Sequence, residues 1–346
     1  MMEGYDKYTV GWICAVPLEK AAAAAMLDKR HNSLEGPEGD PNAYTCGEIA
    51  GHNTVIACLP SGVYGTTSAS ETASHMSRTF RNLRYRFMVG IGAGIPSDST
   101  DIRLGDIVVS HPAGTSPGLV QYDLGKQLPN GFERIGSMNK PPQDLLTALS
   151  RYRALARVDG DPIPHILAEA NDRRGVSNEF CCPPRHHDRL FRAEYGHASP
   201  ARSCGTCDAS QLIVRSERET PGPFVHYGLI ASGDTLLRDS KKRDKLRDEE
   251  GAICVEMESA GLMQLDNFRC LVIRGICDYA DSHKNDEWQP YAALVAAVFT
   301  KGLLKSIQIN RTGSSMLARN WLEEYNQAYI PEYTAELGRV ALHSPG

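Results

Sequence analysis

Residues 253–283 read ICVEMESAGLMQLDNFRCLVIRGICDYADSH. The apolar run Ile253, Cys254, Val255 reads as a short strand, and Ser259 to Met263 as the helix that follows it. Glu256 and Glu258 flank Met257 at that junction. Cys270 to Ile273 reads as a second, buried strand, which Arg274-Gly275-Ile276-Cys277-Asp278 carries to its carboxyl end. In an open α/β sheet, ligands sit outside the carboxyl ends of the strands. The stretch therefore predicts a carboxylate at each of two strand ends, facing one small-molecule pocket.

Towards the N-terminus the same grammar repeats. Tyr8 to Ala15 is apolar and β-rich, a buried first strand. Pro17 and the five alanines Ala21 to Ala25 then predict a helix, since proline suits a first turn and alanine is the best helix former. Glu19 falls in that first turn. On spacing alone its plainer role is compensating the helix dipole; the sharper one is a base holding water. Residues 35–42 read as a loop, and Ala43–Ile49 with His52–Leu59 as a hairpin. The glycine- and hydroxyl-rich Pro60–Thr67 precedes a helix over Ser68–Phe80, and such a loop either offers backbone N–H groups to an anion or is only a turn.

Arg86 to Ile95 is a strand running into the glycines Gly90, Gly92 and Gly94. The third glycine is misplaced for a dinucleotide fingerprint, and no ribose-binding acid follows at the expected distance. Tyr122, in Val120–Asp123, flanks the pocket, with packing a simpler role than base stacking. Pro141–Leu155 is amphipathic. Residues 156–223 lose apolar content and gain Arg, Asp, Pro and His, which marks an insertion at the surface or around the pocket mouth. It holds Cys181-Cys182, His186-His187 and Cys204-x-x-Cys207. Zinc needs four placed ligands and C-x-x-C is half of such a site; the other half is irregular here, so plain loop thiols are expected. Phe224–Ala231 is a strand closed by Ser232-Gly233-Asp234, where Asp234 reads as a cap or turn residue. A charged, solvated helix over 239–250, an apolar helix over 288–305 and a weaker helical tail over 309–346 complete the chain.

The composition bounds the function. At 346 residues with 41% hydrophobic and 23% charged residues, the chain can bury a sizeable core. A net charge of −5 and a pI near 6.1 argue against nucleic-acid binding. No apolar run reaches the length of a membrane span, and the start lacks the pattern of a signal peptide. Ten scattered cysteines, several in apolar runs, fit reduced thiols in the cytoplasm.

V-E-M-E-S-A at 255–260, followed by R-G-I-C-D-Y-A-D at 274–281, resembles the purine and uridine phosphorylase superfamily. The likeness is strongest to its methylthioadenosine/adenosylhomocysteine nucleosidases and to the nucleoside-phosphorylase-like domains, stand-alone or NLR-attached, of filamentous fungi. It extends over about 8–110 and 224–305. The resemblance implies an α/β fold: one three-layer domain over 8–308 with a mixed central sheet and surrounding helices, interrupted at about 156–223. It also implies a homo-oligomer acting on a purine nucleoside without metal or organic cofactor. Asp278 would protonate or hydrogen-bond N7 of the departing purine, which requires a neutral carboxyl in a dry pocket. Glu258 would accept from the ribose hydroxyls and oppose the developing positive charge. Met257 would pack on the sugar, Gly92 would let the backbone approach it, and Leu236 and Leu237 would lie at the base edge. Glu19, standing where nucleosidases carry their water-binding glutamate, becomes the base. Glu256, across Met257 from Glu258, is left without a catalytic role. Bacterial hexameric phosphorylases carry an arginine and a serine where this chain has Met88 and Ile91, neither of which binds phosphate. The expected activity is thus nucleosidase, with a phosphate-dependent phosphorylase using the Gly62–Thr67 loop, or a nucleotide-sensing module, as alternatives.

Overall fold

A computed structural model describes residues 4–308 apart from 33, 35, 130, 173–175, 177, 198–203 and 221. The tail expected over 309–346 lies outside the described residues.

The first half of the chain builds one wing of the sheet. Strand β1 (Val10–Cys14) leads directly into helix α1 (Pro17–Ala25), then come β2 (Lys29–Arg30), β3 (Thr45–Ile49), β4 (His52–Cys58), α2 (Thr66–Thr79) and β5 (Tyr85–Gly94). β1 is buried along its whole length and pairs in parallel with both β4 and β5, which is why its sequence is apolar without alternation. The expected hairpin is β3–β4, turning through Ala50 and Gly51, both at positive φ.

After β6 (Ile107–Ser110), β7 (Leu119–Gln121), the small hairpin β8 (Gly125–Leu128)–β9 (Gly131–Arg134), α3 (Gln143–Val158) and α4 (Ile163–Asn171), the chain returns through β10 (Val225–Ser232), α5 (Ser240–Glu250), β11 (Ala252–Glu256), α6 (Ser259–Met263), β12 (Leu271–Asp278) and α7 (Gln289–Ser306). The strand order is β11-β10-β6-β12-β5-β1-β4-β3-β2, with parallel and antiparallel neighbours mixed. β11 also pairs antiparallel with β5, so β5, β12, β6, β10 and β11 close into a ring. The expected mixed sheet is present, and the closure is an addition to it. It brings the ends of β5, β11 and β12 together: Cys254 and Val255 face Gly94 and Ala93, and Asp278 faces Ala93.

β12 is buried throughout, and α7 packs across β12 and β5 with nearly every side chain out of water. Gly275 permits this approach: a Cβ there would stand 1.8 Å from the Ala292 carbonyl oxygen. The segment expected as a surface insertion is not all surface. Its α4 buries Ile163, Ile166 and Ala170 in the same core as α7, so apolar periodicity persists in a locally polar stretch. The charged helix is α5; of its side chains only Arg243 is buried, Asp239 caps it and Gly251 ends it at φ 75°. No described helix is long and apolar enough to cross a membrane.

Candidate active site

Glu19, Gly92, Leu236, Leu237, Met257, Glu258 and Asp278 all line one cleft of about 500 Å³. The three acids come from the α1 start, the β11–α6 junction and the β12 end. Each carboxylate is less than a tenth exposed.

Glu19 is held entirely by backbone. Its Oε2 accepts from the N–H groups of Ala15 (2.6 Å) and Val16 (3.2 Å), and Oε1 from Ile91 N–H (2.8 Å), so it spans β1 and β5. Gly90 makes room for it, since a Cβ at that position would meet Glu19 Oε1 at 2.2 Å. Burial pushes the Glu19 carboxyl above the ordinary carboxylate range, although Arg274 and the three amides pull the other way.

Beneath the cleft lies a residue that carried no role in the sequence. Arg274, on β12, is fully buried and its Nη2 pairs with both Glu256 and Glu258, the latter at 3.3 Å. Sequence reasoning put Glu256 across Met257 from Glu258. In the fold the two glutamates instead converge on one guanidinium. Glu256 also accepts from Glu258 N–H (3.2 Å), Ser259 N–H (3.0 Å) and Ser259 Oγ–H (2.7 Å), which fixes the turn that projects Met257 and Glu258 into the cleft. Burial raises Glu258 above the usual carboxylate range, against the pull of Arg274 and helped by the charges of Glu256 and Glu19. Arg274 is held above its own usual value: burial opposes its charge, but Glu256, Glu258 and Glu19 outweigh that. The floor therefore gathers three carboxyl groups around one guanidinium, with burial pushing Glu19 and Glu258 towards their neutral forms.

At the opposite end, Asp278 Oδ1 accepts from Ala280 N–H (2.8 Å) and Oδ2 lies 2.8 Å from Lys284 Nζ. The carboxyl expected to be kept neutral in a dry pocket has an ammonium beside it. Burial pulls the Lys284 ammonium down, but the Asp278 charge outweighs it and leaves lysine above its ordinary range. Lys284 stands six residues past the strand end, beyond any motif spacing, so only its neighbours in space reveal it.

Tyr122 does not line the cleft. Its hydroxyl donates to the Thr235 carbonyl (2.8 Å) and its ring covers Gly233, so it supports the segment bearing Leu236 and Leu237 from behind. Asp234 is a cap: its carboxylate accepts from Thr66 N–H (2.7 Å) and Thr66 Oγ–H (3.0 Å). The anion position at the start of α2, open in sequence to a phosphate, is thus filled by the protein's own carboxylate. Met88 is fully buried in the core. His226 pairs with Asp106 at 2.9 Å, away from the cleft.

Outside the cleft, His197, Cys204, Cys207 and His283 bring one ligating atom each within 4.8 Å of one another. The cysteines expected as plain loop thiols stand beside two histidines, one of them far off in sequence.

With this geometry in hand, the comparisons are specific. Residues 171–308 match the family model described as the phosphorylase superfamily. The chain carries a domain of that superfamily. It is 48% identical over 300 residues to a nucleotide-binding leucine-rich repeat (NLR)-like protein of Hyaloscypha variabilis, covering 86% of this chain but only 29% of that protein. It is 24% identical to a 5'-methylthioadenosine/S-adenosylhomocysteine nucleosidase of Mycobacterium bovis, over 87% of this chain and 97% of the relative. Among solved structures, futalosine hydrolase of Helicobacter pylori superposes with a TM-score of 0.56 at 17% identity, covering 87% of this chain and 99% of that one. Each of the last two likenesses covers most of this chain, and the fold is that of these proteins.

Proposed function

We propose that the chain is a purine nucleoside N-ribosyl hydrolase, releasing free base and ribose. The observation that carries this is the convergence of Glu19, Glu258 and Asp278 on one cleft, with Glu256 and Glu258 paired to the buried Arg274 in its floor. Breaking a ribosyl C1′–N bond builds positive charge on the sugar. Carboxyl oxygens fixed against the sugar stabilise that charge more than they stabilise the neutral ground state, and this difference is what accelerates the step.

The chemistry divides by position. As the C1′–N bond breaks, its electron pair passes to the purine, and a proton from the Asp278–Lys284 pair reaches N7. Glu258 accepts from the ribose hydroxyls and faces the cationic sugar, with Met257 against its apolar side. Water adds to C1′ and gives its proton to Glu19, whose raised proton affinity makes it a better base than a surface glutamate.

Two features favour water over phosphate as nucleophile. The helix start that would hold an anion already holds Asp234, and the Met88 and Ile91 side chains offer phosphate no donor. The matching relative over nearly its full length is named a nucleosidase. A second reading draws on the NLR-like relative, of which this chain spans under a third: the domain would act as the nucleotide-sensing part of a longer protein, binding a purine ligand without turnover.

Incubating the protein with a panel of purine nucleosides and nucleotides, with and without phosphate, tests this. The expected outcome is base plus free ribose at a rate independent of phosphate. Strict phosphate dependence with ribose 1-phosphate as product assigns the phosphorylase reaction instead. Ligand bound but recovered intact assigns the sensing role.

A further inference from the structure

We propose that His197, Cys204, Cys207 and His283 form a structural zinc site that ties the 178–220 segment to the loop following Asp278. The inference is independent of the reaction proposed above.

The geometry is that of a tetrahedral ligand set. Cys204 and Cys207 are the two ends of a tight turn, closed by Cys207 N–H donating to the Cys204 carbonyl at 3.2 Å, which points both sulfurs the same way. Their Sγ atoms lie 3.6 and 3.7 Å from His283 Nδ1. For a tetrahedral ion with Zn–S near 2.3 Å and Zn–N near 2.0–2.1 Å, the sulfur–nitrogen separation is about 3.6 Å. The His197 ring, 5.2 Å from that of His283 and inclined at 65°, supplies the fourth donor within the same 4.8 Å envelope.

The surroundings fix the liganding atom. Nε2 of His283 lies 3.0 Å from the Tyr195 carbonyl oxygen, to which it donates. That bond commits the proton to Nε2 and leaves the Nδ1 lone pair aimed at the sulfurs, as outer partners of metal-bound histidines do. Phe191 stacks on the His283 ring at 4.0 Å, and Arg189 donates to the Cys204 carbonyl at 2.9 Å. Two thiolates neutralise a divalent cation, and four protein donors leave no open position, which is the pattern of a structural rather than a catalytic zinc.

The site has a mechanical consequence. His283 is the neighbour of Lys284, which pairs with Asp278. The described residues of the 178–220 segment include no strand, so an ion is an economical way to hold them against the loop that bears His283. Zinc would thereby set the position of Lys284 without touching substrate.

The test is metal analysis of the full-length chain, purified under reducing conditions without chelators or a histidine tag. About one zinc per chain is expected, falling to background in Cys204→Ser/Cys207→Ser and unchanged in Cys181→Ser/Cys182→Ser. Replacing zinc by cobalt should give the visible bands of a tetrahedral site with sulfur-to-metal charge transfer. That spectrum, recorded on the unmutated chain, decides the matter if the double variant fails to fold. The proposal is overturned if the protein neither contains zinc nor takes it up from zinc chloride, or if zinc survives loss of both sulfurs. It is equally overturned if Cys204 and Cys207 are recovered as a disulfide from reduced protein.

Discussion

On one side of the cleft Glu19 is gripped by three backbone N–H groups, two just past the end of β1 and one on β5; on another, Asp278 shares its charge with the side chain of Lys284, carried on a loop. The first arrangement is rigid, because one amide belongs to a paired strand and the other two to the short junction between β1 and α1. The second is adjustable, because an ammonium on a four-carbon stem can follow a proton or a ligand. In the proposed reaction, a base that must hold one water in line would gain from the former. An acid that must meet purines in slightly different poses would gain from the latter.

The largest expected effects come from removing either acid. Asp278→Asn and Glu19→Gln should each lower base release by about 10²-fold or more, the scale of losing a general acid or base. They should differ in rescue. A ribosyl substrate with an intrinsically good leaving group should restore Asp278→Asn towards the unmutated rate and leave Glu19→Gln slow. Stopped-time assays on natural and activated substrates measure this, and full hydrolysis by Glu19→Gln would remove it from the role of base.

A smaller effect is expected at Lys284. Lys284→Met should reduce kcat by about tenfold while leaving KM within a factor of two or three, with Lys284→Arg recovering part of the loss, since the group aids proton delivery rather than contacting the sugar. Because the Asp278 charge holds Lys284 above the ordinary lysine range, the unmutated protein should keep this contribution through neutral and mildly alkaline pH. A change confined to KM would make it a binding residue.

The smallest effect concerns stability. Burial raises Glu258, so its protonated form is favoured in the folded chain; the stability it contributes is present at acid pH and is lost as pH rises from the ordinary carboxylate range through the raised value. Glu258→Gln should therefore resist urea better than the unmutated protein at pH 8, by on the order of 1 kcal/mol, and differ less at pH 5. An equal difference at both values would mean that charge is not the cause.

The same contrast explains what the sequence disclosed. Glu258 and Asp278 were legible because each ends an apolar run, and such ends point to a pocket. Glu19 needed a resemblance to become more than a helix-dipole residue, because its amide partners include Ile91, 72 residues away. Arg274 was visible as a letter in a motif but silent as chemistry: a charge inside a buried strand has meaning only once Glu256 and Glu258 are beside it. Lys284 and His283 are loop residues whose partners are fixed by the fold of distant segments, and Tyr122 sits one layer behind the position its spacing suggested. Burial patterns are local and readable; pairings of charges across the ring of strands are not.

That ring has a consequence for how the molecule is born. β5 finds β1 early, but its other neighbours, β11 and β12, are made only after more than half of the described chain has followed. At ordinary rates of synthesis the wait is on the order of ten seconds or more, with an apolar strand edge open meanwhile to any other unfinished chain. Yield in the cell should therefore depend on translation speed and chaperone supply through the middle of the message, and a nick there should leave two halves that are each unable to finish their own sheet.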